Sequence, residues 1–229
     1  MAVKEFNQNA EMLSSLAVTM LLSQIRAKTT TQKDYVTAAD RLMNLLAEEG
    51  LARLATPTTV VTPCGTCQGL QAPVSSALCA VDIIRSGGIL LEAVRKICPD
   101  LKTAKVLIQR DEQTAEPKFF YSKFPDGVSN MKVILCDPML GTGGSAIMAI
   151  DCLKEAGVAE ESIFFLNVLS CPEGLRALAA KAPKVRVLTA ACDEKLDAQK
   201  FIVPGLGDFG DRYYGTSGYA EGHWGTDGK

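Results

Sequence analysis

The sequence is poor in the residues that several common functions require. Histidine and tryptophan each occur once in 229 residues, at His223 and Trp224, and aromatic residues make up only 6%. No apolar run approaches the ~20 residues that span a membrane. The net charge of −2 argues against a broad surface for nucleic acid or anionic membrane. Residues 12–22 are apolar but follow Glu5 and Glu11 instead of a basic stretch, so we expect no secretory signal.

The eight cysteines do not predict a disulfide framework. A chain of this length does not need disulfides to fold, so we interpret the thiols as buried groups in a reducing cytosol and expect a cytoplasmic protein. Cys64 and Cys67 have the spacing of a zinc knuckle or a redox pair, but zinc requires two more ligands and no second such pair exists. A turn between strands is the simpler interpretation, and a zinc-dependent interaction module is kept as an alternative.

The chain is long enough for one domain with a sizeable core, because 47% of its residues are hydrophobic and 22% are charged. No repeat, low-complexity tract or linker divides it. We therefore predict a single domain over residues 1–229. Its predicted parts are N-terminal helices in 1–50, a β-hairpin arm in 55–70, a core sheet in 78–190, a ligand-binding loop in 199–216 and a flexible tail in 217–229.

Two helices are predicted in the N-terminal part. Helical spacing predicts the first over residues ~10 to 26, with an apolar face made of Leu13, Leu16, Met20 and Leu21. Thr31 and Asp34 approximate a capping box for the second helix, which would end at Gly50. Its predicted apolar face consists of Tyr35, Ala39, Leu42, Met43 and Leu46. We interpret both as packing helices without a chemical role.

From residue 78 onward, apolar strand-like segments alternate with helical ones, which is typical of an α/β protein with a parallel sheet. Five strands are predicted at 81–84, 106–108, 133–137, 163–169 and 185–190, with helices at 89–97, 146–156 and 172–181. Right-handed crossovers would give a doubly wound five-stranded parallel sheet whose ligand crevice lies at the carboxyl ends of the strands. Arg85, Arg110 and Asp137 follow three of these strands, so we expect them in that crevice.

Residues 137–145 (Asp-Pro-Met-Leu-Gly-Thr-Gly-Gly-Ser) form the most informative stretch. Its three glycines give the backbone freedom to turn, and Ser145 is predicted to N-cap the following helix. A turn of this kind directs several backbone N–H groups towards one point at the positive end of a helix, which is a phosphate-binding arrangement. It is not a Walker loop, since no Gly-Lys-Ser/Thr follows, and it lacks the dinucleotide-binding glycine spacing. Asp137, at its start, lies within reach of the hydroxyl groups of a phosphorylated ribose.

Residues 201–216 follow the fifth strand and contain glycines, a proline and aspartates that are incompatible with a core helix or strand. We therefore predict an irregular loop whose backbone N–H and C=O groups remain available to a ligand. Asp211 and Arg212 are expected to pair with each other and shape this loop. The tail that follows contains His223 and Trp224, which we do not expect to be catalytic.

Four motifs, in this order along the chain, resemble those of the type I phosphoribosyltransferases. They are residues 81–87, 108–117, 137–145 and 202–211. The single acid at Asp137 is similar to the uracil phosphoribosyltransferase family, and Phe209 after Gly207-Asp208 resembles its eukaryotic and protozoan members. The resemblance covers roughly residues 20–216. It implies the type I phosphoribosyltransferase fold, with a β-hairpin arm and a C-terminal hood that binds the base.

The resemblance also implies the reaction. The 5-phosphoribosyl group would pass from phosphoribosyl pyrophosphate to N1 of uracil, giving UMP and pyrophosphate in pyrimidine salvage. Mg²⁺ is the implied cofactor, held mainly by the pyrophosphate and not by protein ligands. The implied catalytic residues are Asp208, Arg110 and Asp137. The residues implied to bind phosphoribosyl pyrophosphate are Arg85, Arg110, Asp137, Pro138, Met139, Leu140, Gly141, Thr142, Gly143, Gly144, Ser145 and Asp208. Those implied to bind uracil are Ile202, Gly207, Asp208 and Phe209.

The resemblance implies a homodimer or homotetramer with contacts through the arm, and a nucleotide effector such as GTP in part of the family. Ser86 and Gly141 stand where the family commonly has alanine, and these small-for-small changes are expected to affect substrate affinity only. One alternative is a catalytically weak regulator on the same fold that senses nucleotides or binds RNA, against which the low aromatic content argues. Another is a phosphoribosyltransferase for a purine, which should lack the Pro-Gly-Leu-Gly-Asp sequence at 204–208.

Overall fold

The computed structural model describes residues 3–110, apart from the side chain of Arg110, and residues 117–216. The helices in these ranges are α1 (Leu16–Arg26), α2 (Gln32–Ala52), α3 (Gly87–Ile97), α4 (Gly144–Glu155), α5 (Pro172–Lys181) and α6 (Phe209–Tyr214). The strands are β1 (Ala10–Met12), β2 (Thr56–Thr62), β3 (Gly65–Gln71), β4 (Leu78–Ile84), β5 (Lys102–Arg110), β6 (Pro117–Lys123), β7 (Lys132–Cys136), β8 (Met139–Leu140), β9 (Ile163–Ser170), β10 (Arg186–Cys192), β11 (Lys195–Leu196) and β12 (Ile202–Val203).

The main sheet has the strand order β1-β10-β9-β7-β4-β5-β6, and β8 also pairs with β9. Every pairing is parallel except β5 with β6. The five predicted strands correspond to β4, β5, β7, β9 and β10, so the doubly wound α/β fold with a mostly parallel sheet is confirmed. The sheet is wider than predicted because β1 and β6 extend its two edges. These edge strands are short or largely exposed and lack the apolar runs that identify the central strands.

Helices cover both faces of the sheet and bury two hydrophobic cores. On one face α1, α2 and α3 pack over Ile134, Leu166 and Leu188. On the other face α4 and α5 pack over side chains that include Val133 and Phe165. Because neighbouring residues of a strand point to opposite faces, β7 contributes Val133 and Ile134 to different cores. All eight residues of β9 are buried, as expected for a central parallel strand.

The first helix differs from its prediction in both its start and its buried face. It begins at Leu16, because the Oγ of Ser15 accepts a hydrogen bond from the Val18 N–H at 3.1 Å. The preceding residues 10–12 instead form β1 against β10. Leu16 is 90% exposed and Met20 47% exposed, so these two positions of the predicted apolar face are wrong, whereas Leu13 and Leu21 are buried as predicted. The buried positions of α1 are Val18, Leu21, Leu22 and Ile25.

The second helix and the hairpin agree with their predictions. Thr31 caps α2 by accepting from the Asp34 N–H at 3.2 Å, and the five predicted apolar positions are buried. The helix continues past Gly50 to Ala52. Strands β2 and β3 pair antiparallel over their whole lengths and form the predicted arm. Cys64 and Cys67 lie on this arm as exposed free thiols, so the prediction that the cysteines are buried is wrong for these two. No helix in 3–110 or 117–216 is long and apolar enough to cross a membrane.

Candidate active site

A cavity of about 690 Å³ opens where the parallel strands end. Arg85 follows β4 and Asp137 follows β7 in the wall of this cavity. Residues from the C-terminal segment 199–210 complete the wall. The position of the cavity follows from the parallel topology, which brings the carboxyl ends of the strands to one edge of the sheet. Nine of the residues predicted for the site contribute to the cavity wall: Arg85, Asp137, Met139, Gly141, Ser145, Ile202, Gly207, Asp208 and Phe209.

The remaining predicted residues lie beside or behind this wall. Thr142 and Gly144 are partly exposed next to it, whereas Pro138, Leu140 and Gly143 are buried. Leu140 is 1% exposed and its side chain packs in the core beneath α4 and α5, so only its backbone is near the cavity. The side chain of Arg110 and residues 111–116 lie outside the described residues, as do His223 and Trp224 in 217–229.

Asp137 is held by a buried polar chain that extends across the sheet. The backbone N–H of Asp137 donates to the Leu166 carbonyl at 3.3 Å, and its carbonyl accepts from the Asn167 side-chain amide at 3.1 Å. The hydroxyl of Thr189 donates to the other end of that amide at 2.7 Å, and Asn167 and Thr189 are fully buried. A satisfied buried network of this kind restricts the backbone that carries the carboxylate. No sequence pattern indicated these supporting residues.

The glycine-rich turn has the predicted strand–turn–helix form, with one correction. Gly143 is the N-cap of α4 and has a left-handed backbone with φ of +83°, which favours glycine. Ser145 lies within the first helical turn, so its prediction as N-cap is wrong. The Oγ of Thr142 accepts from the Gly144 N–H at 3.4 Å. The turn therefore lies against the positive end of a twelve-residue helix, which favours an anion.

Arg85 points towards α6 and is bound by that helix. Its Nη2 lies 2.7 Å from a carboxylate oxygen of Asp211 and 3.6 Å from one of Asp208, and its Nη1 donates to the Thr216 hydroxyl at 2.9 Å. Its guanidinium carbon lies 5.7 Å from the centre of the Tyr214 ring. The expected Asp211–Arg212 pair is therefore wrong, because Asp211 binds Arg85.

Arg212 instead anchors α6 to the N-terminal helices. Its side chain is 1% exposed and donates to the backbone carbonyls of Ile25, Ala27 and Leu206. Its guanidinium carbon lies 4.5 Å from the centre of the Tyr35 ring. The α6 helix is consequently part of the packed structure, which corrects the prediction that 201–216 is irregular throughout.

Asp208 both caps α6 and lines the cavity. It N-caps α6, with its carboxylate accepting from the Asp211 N–H at 2.8 Å, and its side chain remains 43% exposed to the cavity. Desolvation raises the pKa of Asp208, and the nearby Asp211 carboxylate raises it further, while the Asp211 N–H and the Arg85 guanidinium oppose the shift. The carboxyl group therefore binds a proton more readily than an ordinary aspartate.

The hood is built from β11, β12 and the turn that follows. Val203–Pro204 is a cis peptide bond, and Gly205 has φ of +65° with the Ile202 carbonyl so close that a Cβ atom would overlap it. This turn is fixed by Asp193, which accepts from the Gly205 N–H at 2.8 Å and from both Nη atoms of Arg26 at 2.6 Å. No sequence pattern indicated the Arg26–Asp193 pair, apart from the position of Asp193 directly after β10.

Two further wall residues are Lys200, which was not assigned from the sequence, and Phe209, which was predicted to bind uracil. Lys200 lines the cavity and has a left-handed backbone with φ of +70°. The N–H groups of its neighbours Gln199 and Phe201 both donate hydrogen bonds to the Asp197 carboxylate. Phe209 contributes to the wall, but it is only 1% exposed and its ring packs edge-on to Tyr35 and stacks with Tyr213. The ring therefore lies on the core side of α6.

The carboxylates of the described ranges do not assemble into a metal centre. No group of three or more His, Cys, Asp or Glu side chains there is arranged to hold a metal ion. The cavity does contain the carboxylates of Asp137 and Asp208, which can accept hydrogen bonds from water bound to a cation. Two carboxylates in one cavity wall fit the hydration shell of a magnesium ion.

Comparison with known proteins is consistent with this architecture. A structure of the AQ2163 protein from Aquifex aeolicus is 27% identical, with a TM-score of 0.78 over 91% of this chain and 99% of that one. The adenine phosphoribosyl transferase of Trypanosoma brucei, solved in complex with AMP, pyrophosphate and ribose-5-phosphate, has a TM-score of 0.54 at 11% identity and covers 80% of this chain and 84% of that one. It therefore shares the fold, which confirms the predicted type I phosphoribosyltransferase architecture.

The sequence comparisons are more specific. The profile described as uracil phosphoribosyltransferase matches residues 12–216. A uracil phosphoribosyltransferase of Dictyostelium discoideum is 43% identical over 197 residues, which cover 86% of this chain and 91% of that protein. The resemblance inferred from the four motifs is thereby confirmed, and the chain belongs to the uracil phosphoribosyltransferase family.

Proposed function

We propose that this protein transfers the 5-phosphoribosyl group from phosphoribosyl pyrophosphate to N1 of uracil, giving UMP and pyrophosphate. The observation that carries the proposal is the shared cavity, in which an arginine, an aspartate, a glycine-rich turn and the hood loop face one another. A donor with a phosphate at each end requires separate anion sites, and Arg85 and the turn 137–145 provide two such sites at the ends of different strands.

In this proposal the glycine-rich turn binds the 5′-phosphate through backbone N–H groups and the hydroxyls of Thr142 and Ser145. Asp137 accepts hydrogen bonds from the ribose hydroxyls, for which its position at the start of the turn is suitable. Arg85 and Arg110 bind the pyrophosphate, with planar guanidinium groups that can engage two oxygens at once. Holding the ribose from both ends fixes C1 against the base, so orientation supplies much of the rate acceleration.

The hood selects the base through its backbone. The Ile202 N–H would donate to the 4-oxo group of uracil, and the Gly207 backbone would pair with the 2-oxo group and N3–H. Cytosine presents an amino donor where Ile202 also offers a donor, and two buried unpaired donors would cost on the order of a few kcal/mol. Asp208 lies between hood and arginine, where it can contact the ribose or the N1 side of the base and accept its proton.

Mg²⁺ would be bound as part of the substrate, by the pyrophosphate oxygens, with waters hydrogen-bonded to Asp137 and Asp208. When bound, the ion neutralises charge that develops on the leaving pyrophosphate. We further propose that the protein works in the cytoplasm as a homodimer or homotetramer and responds to a nucleotide such as GTP. The arm supports self-association, since Val61 is 81% exposed and Leu70 is 64% exposed on it.

The proposal is tested by pyrophosphate release with phosphoribosyl pyrophosphate, Mg²⁺ and either uracil, cytosine or hypoxanthine. We expect turnover with uracil and none with cytosine or hypoxanthine. Asp137→Asn should abolish it without loss of the fold, whereas Asp151→Asn, at an exposed position on α4, should retain wild-type rates. Tight nucleotide binding without turnover of any base would favour the regulator on the same fold, and turnover of hypoxanthine would refute uracil specificity.

A further inference from the structure

The glycine-rich turn 137–145 rests on the first turn of α5. A Cβ atom on Gly174 would overlap the carbonyl oxygen of Gly141 and lie 2.7 Å from that of Leu140. Both are backbone atoms, so they could not rotate aside as a side chain would. Glycine in a helix is ordinarily unfavourable by about 1 kcal/mol relative to alanine, and its presence here is explained by this close approach.

Cys171 approaches the same two carbonyl groups. Its sulfur lies 3.2 Å from the Gly141 oxygen and 3.7 Å from the Leu140 oxygen, and the residue is fully buried. Burial raises the pKa of the Cys171 thiol to about 12, so the group is protonated at neutral pH and acts as a donor. The N-terminal end of α5 therefore accommodates both carbonyl groups. The Cys171 thiol can donate a hydrogen bond to them, and Gly174 has no side chain that would exclude them.

The direction of these carbonyls determines where the turn's amides point. In a trans peptide the C=O and the following N–H point in opposite directions, and the bonds after Leu140 and Gly141 are trans. Carbonyls directed at α5 therefore place the N–H groups of Gly141 and Thr142 on the side away from α5. Gly141 is also part of the cavity wall, so its N–H group is presented to the site, and the Thr142 N–H follows it directly along the turn.

We propose that Cys171 and Gly174 are positioning residues which orient the glycine-rich turn so that its amides face the 5′-phosphate of the substrate, an inference that rests on the proposed function. They act through the turn and do not touch the ligand. Their effect should therefore appear as weaker binding of the phosphate end, with binding of uracil little changed.

The first test replaces the thiol. Cys171→Ala removes the hydrogen-bond donor, whereas Cys171→Ser keeps one. Cys79→Ala is the control, because it truncates another fully buried cysteine whose sulfur lies 3.9 Å from the Ala80 carbonyl, away from the turn. Removing one hydrogen bond should weaken ribose 5-phosphate binding about fivefold, measured by calorimetry. The KM for phosphoribosyl pyrophosphate should rise by a similar factor and that for uracil should not. Cys171→Ser should restore most of the affinity, and Cys79→Ala should leave it unchanged.

The second test replaces the glycine. Gly174→Ala should weaken ribose 5-phosphate binding more than Cys171→Ala does, because the turn itself must move. Gly50→Ala is its matched control in α2, where the added Cβ would meet only the flexible end of Leu166 at 2.8 Å. Equal losses of ribose 5-phosphate affinity in variants and controls, or equal rises of both KM values, would overturn the inference.

These readouts separate the two proposals. A wild-type protein that binds ribose 5-phosphate but forms no UMP would refute the proposed function, while the binding series would still decide the role of Cys171 and Gly174. A wild-type protein that does not bind ribose 5-phosphate would overturn the positioning role, since no phosphate would then occupy the turn.

Discussion

Replacing Asp193 with alanine removes the carboxylate that fixes the Gly205 turn of the hood. Asp193 is 7% exposed and accepts three hydrogen bonds, two from Arg26 at 2.6 Å and one from the Gly205 N–H at 2.8 Å. Arg26 also donates to the Gly205 carbonyl at 2.8 Å, so it holds the same turn from the other side. Loss of the carboxylate leaves a largely buried guanidinium without its counter-ion and frees the turn to rearrange.

The expected loss of stability follows from these contacts. Removing one member of a buried ion pair costs about 3–5 kcal/mol, and the value is reduced here because the Arg26 side chain is 25% exposed and regains water. We expect Asp193→Ala to lower the free energy of unfolding by about 3 kcal/mol, which corresponds to a fall in Tm of about 6–12 °C for a chain of this size. Asp193→Asn should lose roughly half as much, since it keeps an acceptor for the Gly205 N–H.

Urea unfolding and steady-state kinetics check this prediction together. The KM for uracil should rise in Asp193→Ala, because Ile202 and Gly207 lie on either side of the displaced turn, while the KM for phosphoribosyl pyrophosphate should stay near wild type. Glu11→Ala, which removes a half-exposed partner of Arg53, is the control and should cost less than about 1 kcal/mol. A loss below 1 kcal/mol in Asp193→Ala, or equal rises of both KM values, would refute the reasoning.

Two further changes have defined outcomes. Asp211→Asn weakens a carboxylate that competes with pyrophosphate for the half-exposed Arg85, so the KM for phosphoribosyl pyrophosphate should fall about two- to fivefold, and a rise would contradict this competition. Burial raises the pKa of Asp82, which is 1% exposed, and the Lys105 ammonium at 3.0 Å only partly opposes the shift. Its contribution to stability is therefore full below the unfolded pKa of about 4 and is lost as pH rises through the folded pKa. Between these two pKa values, the free energy of unfolding of wild type should fall relative to that of Asp82→Asn, as measured by urea melts at several pH values. A difference that does not change with pH would contradict this assignment.

Several elements of the site were predictable because their signals are local. Buried parallel strands are continuous apolar runs, so β4, β7 and β9 were recognised, and with them the positions of Arg85 and Asp137 after strand ends. The glycine-rich turn was recognised because few residues tolerate its backbone. In contrast, the start of α1 depended on a single capping hydrogen bond, and the apolar spacing around it was compatible with a different phase.

The sequence by itself determined the order of strands and helices, the edge of the sheet where the cavity lies, and the family, because these depend on local backbone preference and on motifs of adjacent residues. Only the tertiary structure decided which groups hold those motifs in place. Arg26 with Asp193, Arg85 with Asp211, and Cys171 with Gly141 are separated by 167, 126 and 30 positions along the chain. Contacts of such range leave no periodic trace in the sequence, since any hydrogen-bond donor or acceptor elsewhere could have satisfied the same groups. Folding alone brings these pairs together, and they orient the hood, the arginine and the glycine-rich turn around one cavity.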